Sequence, residues 1–276
     1  MNGRIDAHQH FWRYGPDTHG WIDDSMAPLR RDFLPGDLAP LLRDAGFDGC
    51  IAVQAQTNVA ETEWLLSLAA EHDFIRAVVG WVDLCGPQAR DDLARLTADP
   101  KLAGIRHVVQ SEPAGFMTRD DFRRGIAALA EFDLVYDILI YARQLPEALE
   151  FVRAFPDQPF VIDHIAKPDI RGGGFKAWRR DMEAIAREPH VWCKLSGMVT
   201  EADWRAWSPA AFEPYLDVVL DAFGPQRCMI GSDWPVSTLA GDYRAVTGIV
   251  TAYVERLPPP DRRAILGRTA SLVYQR

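Results

Sequence analysis

Short apolar runs alternate with amphipathic stretches along most of the chain. The first run, RIDAHQH (4–10), is followed by PGDLAPLLRDAGF (35–47), which puts Leu38, Leu41, Leu42 and Ala45 on one helical face. The second run, DGCIAVQAQ (48–56), precedes NVAETEWLLSLAAEHD (58–73). There Asn58 is placed to cap a helix and Glu61, three residues on, to complete a capping box. The runs IRAVVGWVD (75–83), LAGIRHVVQ (102–110), LVYDILIYA (134–142), PFVIDHIA (159–166), HVWCKLSG (190–197) and RCMIGSDWP (227–235) read as strands three to eight. Helical patterns occupy 86–100, about 118–132 and 144–156. Another runs from the glycine-rich RGGGF loop (171–175) to near Glu188, and a further helix follows a tryptophan-rich loop. Two more helices close the chain. Eight strands alternating with helices predict a (β/α)8 TIM-like barrel, one domain over residues 1–276. The strands lack the period-two polarity of a half-exposed sheet and read as buried on both faces, as parallel strands are. An open doubly wound sheet is the second reading. No GxGxxG follows strand one, which counts against a dinucleotide-binding version.

Polar residues gather where these runs end. Strand by strand they are His8 and His10; Gln54 and Gln56; Trp81 and Asp83; Arg106 and His107; Asp137 and Tyr141; His164; Lys194 and Ser196; and Asp233. A barrel collects its function at the carboxyl ends of its strands. Polar groups at all eight ends outline a pocket, since a core would reject them unpaired.

Composition narrows the partners. The 276 residues are 48% hydrophobic and 25% charged, with a formal net charge of −9. An acidic surface repels phosphate backbones, so nucleic acid is not an expected partner, although a local arginine can still bind a small anion. No apolar run approaches the ~20 residues of a membrane span, and no signal-peptide pattern opens the chain. Cys50, Cys85, Cys193 and Cys228 form no CxxC pair and read as free thiols of a cytoplasmic protein. The basic residues number 30, and only Lys101, Lys167, Lys176 and Lys194 are lysines. Oligomeric state has no signature in the sequence.

Residues i and i+2 of a strand point the same way, so His8 and His10 should share the barrel mouth. Strands one and eight adjoin in a closed barrel, so Asp233 should meet them there. Asp163 alternates with His164 and is expected to face away as structural support. Arg106 and His107 adjoin, so only one should point inward. Lys167 is expected on a loop.

The ordered set DAHQHFW, GIRHVVQ, DHIAKP, KLSG and GSDWP resembles the amidohydrolase superfamily. Within it the set is similar to a branch of lactone hydrolases acting on L-fuconolactone, L-rhamnonolactone or 2-pyrone-4,6-dicarboxylate. The resemblance runs from residue 4 to about 240. It implies a distorted barrel that hydrolyses a sugar-acid lactone, L-fuconolactone or a close analogue. By resemblance Asp233 is the general base, and His164, with His8 and His10, polarises the carbonyl. Arg106, His107, Gln54, Tyr141 and Lys194 are candidate substrate contacts. Trp12, Trp81 and Trp234 are candidate platforms for a sugar ring. A dicarboxylate pocket would need convergent arginines. Only Arg106 can be placed, which favours a neutral polyhydroxy lactone.

Two other functions compete: a zinc-dependent decarboxylase of the same superfamily and a catalytically dead barrel kept for binding. The decarboxylase would add a histidine after a middle strand, and strand five has none. A dead copy should have lost one of the four motif residues. One divalent ion, most naturally zinc, could sit on His8, His10 and Asp233. The resemblance also covers lactonases that work without metal, so the expectation is an ion that catalysis does not require.

Overall fold

All eight apolar runs form strands; the structure, a computed structural model, describes residues 3–275. The strands are β1 (Ile5–Gln9), β2 (Gly49–Val53), β3 (Ile75–Gly80), β4 (Leu102–His107), β5 (Val135–Ile138), β6 (Phe160–Ile162), β7 (Val191–Leu195) and β8 (Cys228–Ile230). They lie in one sheet in sequence order, each neighbouring pair parallel. Each strand is shorter than the run that predicts it. The polar residues closing most runs leave the ladder and turn into the loops above.

A short seam, rather than a full ladder, joins β8 to β1. The Ser232 N–H donates to Asp6 Oδ1 at 2.8 Å, the Asp233 N–H to the His8 carbonyl at 2.8 Å, and the His10 N–H to the Trp234 carbonyl at 2.7 Å. Gly231 permits this approach, because a Cβ there would stand 2.7 Å from the His8 Cβ. The sheet thus forms the nearly closed barrel expected of a (β/α)8 chain.

The helices are α1 (Pro35–Ala45), α2 (Val59–Glu71), α3 (Ala89–Leu96), α4 (Asp120–Leu129), α5 (Leu145–Arg153), α6 (Phe175–Ile185), α7 (Glu213–Phe223), α8 (Tyr243–Val254), α9 (Pro259–Arg263) and α10 (Thr269–Tyr274). Asn58 caps α2 by accepting the Glu61 N–H at 2.8 Å. The Glu61 carboxylate does not close the reciprocal half of the box. It accepts the N–H groups of Ala55 and Gln56 at 3.0 and 2.7 Å, and so ties down the loop that follows β2.

Apolar side chains pack in two places. A large cluster fills the space between sheet and helices, and a smaller one, including Ile5, Ile51, Val79, Val161 and Met229, fills the barrel. α10 closes the amino-terminal end of the barrel, with Ala270, Val273 and Tyr274 in that inner cluster. The four cysteines are free. Among the described residues, no helix is long and apolar enough to cross a membrane.

Candidate active site

The carboxyl ends of the strands open into a cavity of about 740 Å³. His10, Arg106, His164 and Asp233 form its floor. Asp233 Oδ1 lies 3.5 Å from His10 Nε2, 3.8 Å from His164 Nε2 and 3.9 Å from His8 Nε2. His8 Nε2 and His10 Nε2 are 3.2 Å apart, so the HxH pair does share one side and does meet the strand-eight aspartate. His8 itself is fully buried just beneath the floor. His10 donates its Nδ1 proton to the Val53 carbonyl at 2.8 Å, which leaves its Nε2 lone pair facing Asp233.

Burial holds the imidazoles of His8, His10 and His164 below their ordinary pKa, so they are neutral near pH 7. Burial alone would raise Asp233. His164, His10 and Lys167 outweigh it and keep the carboxyl below its usual value. The floor therefore holds one carboxylate among three neutral imidazoles.

His164 reaches this position by an unusual backbone. His164, Ile165, Ala166 and Lys167 have φ values of 54°, 48°, 59° and 46°, a left-handed turn of four non-glycine residues. Each costs roughly 1–2 kcal/mol. Val161 belongs to the inner cluster, so Asp163, two residues on, also points inward, and His164 would point away. The left-handed turn swings His164 back over the floor. There its Nδ1 lies 2.9 Å from Ser196 Oγ. Asp163 was expected to face away; it is instead buried inside the barrel, 3.2 Å from His8 Nδ1.

Several other expectations need correction. Lys194 is fully buried below the floor, paired with Asp137 at 2.5 Å and Asp163 at 3.0 Å, and does not reach the cavity. Asp137 is likewise inside the barrel, where it accepts the Tyr274 hydroxyl at 2.7 Å. Burial pushes its carboxyl up to about 6 despite Lys194. Trp12 is not a cavity wall. It pairs backbone to backbone with Phe33 and packs its ring there, donating its indole N–H to the Arg31 carbonyl at 2.9 Å. Trp234 is buried against Phe11 and Phe33, because its carbonyl is used in the β1–β8 seam. Arg106 and His107 both line the cavity, since the chain leaves the ladder after His107. The Trp81 indole donates to His107 Nδ1 at 3.1 Å, so His107 carries its proton on Nε2 and donates to Glu112 at 2.9 Å. With both nitrogens engaged, His107 is a wall rather than an acid or base.

Gln54, Trp81 and Tyr141 line the cavity, as does Lys167, which lies on a loop as expected, at the end of the left-handed turn. The sequence reading missed Trp21 on the loop after β1 and Glu201 and Trp204 on the loop after β7. Trp21, 41% exposed, stands at the rim beside Trp12 and His19. These loops have no periodic pattern, so nothing local announced which face of them would meet the cavity.

The donor chemistry suits a metal. Two imidazole nitrogens and one carboxylate oxygen, from His8, His10 and Asp233, lie within 4.8 Å of one another and are buried. Lone pairs of that kind converging on one point fit a small divalent ion such as zinc, with a fourth position left for substrate or solvent. His10 is oriented for it by Val53. One competitor is present: Arg106 Nη1, 3.2 Å from His8 Nε2.

One carboxylate among neutral imidazoles at the carboxyl face of a (β/α)8 barrel is equipment for acid–base chemistry. More particularly, the chain belongs to the amidohydrolase family, whose sequence profile it matches over residues 5–276. It is 44% identical to the L-fucono-1,5-lactonase of Burkholderia multivorans, with 98% of this chain and 95% of that protein covered. It is 40% identical to the L-fucono-1,5-lactonase of Burkholderia ambifaria, with 100% and 96% covered. A solved amidohydrolase from Burkholderia multivorans with bound zinc superimposes at a TM-score of 0.94, with 43% identity and 99% of each chain covered.

Proposed function

We propose that this chain hydrolyses a sugar-acid lactone, L-fucono-1,5-lactone or a close analogue, to the open aldonate. The observation that carries the reading is Asp233 set within 3.5–3.9 Å of three buried imidazoles at the cavity floor. The likeness to the two L-fucono-1,5-lactonases supports the choice of substrate. The described barrel acts as one domain with a small molecule as its partner. Its free thiols suit a reducing compartment, which we take to be the cytoplasm.

In this reading Asp233, ionised and held so by its neighbours, takes a proton from water as the oxygen attacks the lactone carbonyl. His164, held at Nδ1 by Ser196, turns its Nε2 to the oxygen on which negative charge develops, while His10, its Nδ1 proton given to Val53, offers only a lone pair on the side of Asp233. That charge is stabilised by a group already in place, which needs no reorganisation. The C–O bond to the ring oxygen then breaks, and the departing oxygen takes up the proton that Asp233 accepted, which restores the carboxylate. Gln54, Trp81, His107 and Tyr141 contact the sugar. Arg106 is already spent on Gln54, Asp163 and His8, so it cannot clamp a carboxylate bidentately. This supports a neutral lactone over a pyrone dicarboxylate.

A zinc ion on His8, His10 and Asp233 would add Lewis-acid polarisation of the carbonyl. A lactone ester is reactive enough for the imidazoles to suffice, so turnover persists after chelation. The test is a proton-release assay over a panel of aldonolactones, before and after exhaustive metal removal with residual metal counted. Asp233→Asn should lower kcat by at least about 10²-fold. Better hydrolysis of 2-pyrone-4,6-dicarboxylate, or near wild-type turnover in Asp233→Asn, overturns the reading. Loss of activity on chelation, restored by one equivalent of zinc, overturns the metal-independent part alone.

A further inference from the structure

Beneath the floor lies a sealed ionic cluster. Lys194 pairs with Asp137 and Asp163 at 2.5 and 3.0 Å, and Arg106 with Asp163 at 3.0 Å, all of them buried. Two cations thus offset two carboxylates. Asp233 stands on the floor above, and removing Arg106 leaves the assembly with one positive charge fewer.

Arg106 also occupies a specific lone pair. Its Nη1 lies 3.2 Å from His8 Nε2. A guanidinium only donates, so this contact uses the Nε2 lone pair and leaves the His8 proton on Nδ1. Asp163 Oδ1 is the carboxylate oxygen that faces this nitrogen, 3.2 Å away. Lys194 Nζ also lies 3.2 Å from Nδ1, so Arg106 and Lys194 compete for the single His8 lone pair, and Arg106 holds it when the proton sits on Nδ1. The Nε2 lone pair is the one a metal ion on His8, His10 and Asp233 would need. Nor can Arg106 swing aside freely. Its Nε and Nη2 donate to Gln54 Oε1 at 3.2 and 2.7 Å, and Nη2 also donates to the Gln54 carbonyl.

We propose that Arg106 is a built-in competitor of the metal: it holds the His8 lone pair, supplies the fixed positive charge at the floor, and sets a weak zinc affinity. Without Arg106 a divalent ion meets one positive charge fewer, and His8 is free to bind. In a buried site like charges a few ångströms apart repel strongly, and both terms act against the ion. The inference rests on the site and not on the lactone. A zinc titration therefore remains decisive even if every lactone proves a poor substrate.

The test is zinc affinity of the metal-stripped full chain, measured against a chromophoric chelator. Arg106→Gln and Arg106→Met should each bind zinc at least ~10²-fold more tightly than wild type, about two decades of Kd. Arg106→Lys, which keeps the charge, should stay within about 10-fold. His8→Ala placed in the Arg106→Gln background should abolish the gain while changing wild-type affinity little, a coupling that bulk charge alone would not produce. If the Arg106 variants fail to fold, as judged by circular dichroism, Gln54→Ala decides. It loosens the anchor of the guanidinium without removing any charge and should tighten zinc several-fold. Affinity unchanged in Arg106→Gln, a gain that survives His8→Ala, or no tightening in Gln54→Ala when that variant must decide, overturns the proposal.

Discussion

Gly197→Ala separates backbone strain from catalytic placement. Gly197 sits at φ +64°, ψ 6°, in the left-handed region. A Cβ there would stand 2.5 Å from His164 Nδ1. That is about 0.9 Å inside the 3.4 Å at which ordinary contact begins. The backbone conformation alone costs alanine about 1–2 kcal/mol. The imidazole must also move by nearly 1 Å, which breaks its contact with Ser196 and shifts it from Asp233. A misplacement of that size costs about 10²-fold in rate. Gly174 supplies the control, because it has φ +82°, ψ 6° and nothing within 4 Å of its Cβ. Gly174→Ala carries the same backbone penalty without the clash. Both variants should melt several degrees early, at about 2–4 °C per kcal/mol for a chain near this length. Only Gly197→Ala should lose kcat, by about 10²-fold, in a proton-release assay on the best lactone. Wild-type kcat in Gly197→Ala, or an equal kcat loss in Gly174→Ala, refutes the argument that this glycine makes room for His164.

Other outcomes follow from groups away from the floor. Tyr274→Phe removes one donor from buried Asp137, costing about 1–3 kcal/mol in thermal or chemical denaturation. An unchanged melting temperature would show that this hydrogen bond contributes nothing. Burial pushes the Glu61 carboxyl up to about 7, above its unfolded value of 4.5. The folded chain therefore binds the Glu61 proton more tightly, and stability is lost as pH rises from about 4.5 to about 7. Relative to wild type, Glu61→Gln should gain about 2–3 kcal/mol between pH 5 and pH 8; a pH-independent difference would contradict the shift. Trp21→Ala should raise KM for the lactone about 2- to 10-fold with little change in kcat, as expected of a rim aromatic that packs on the sugar. A change in kcat alone would place Trp21 elsewhere in the cycle.

Much of this protein was legible as sequence, and the reason is local. A doubly buried strand reads as a continuous apolar run and a helix repeats with period 3.6, so apolar spacing alone placed all eight strands. The period-two alternation of side chains along a strand put His8 and His10 on one side, 3.2 Å apart. Sequential parallel order then made strands one and eight neighbours and brought Asp233 to the pair. The fate of other residues depended on neighbours far along the chain. Alternation set Asp163 facing away from the side of His164, yet both lie inside beside His8, because β6 ends at Ile162. Val161 packing into the barrel set Asp163 inward, and the left-handed turn beside Ser196 and Gly197 then returned His164 to the floor. Lys194 ends a strand in the sequence, yet two aspartates from other strands draw its ammonium under the floor, because a buried charge must be paired. Trp12, expected at the cavity, is captured by Phe33, and Trp21, nine residues on and not singled out from the sequence, stands at the rim instead. Element type and strand order follow from forces acting over a few residues. Where a polar side chain ends its reach is settled by partners that only the closed barrel brings within hydrogen-bonding distance.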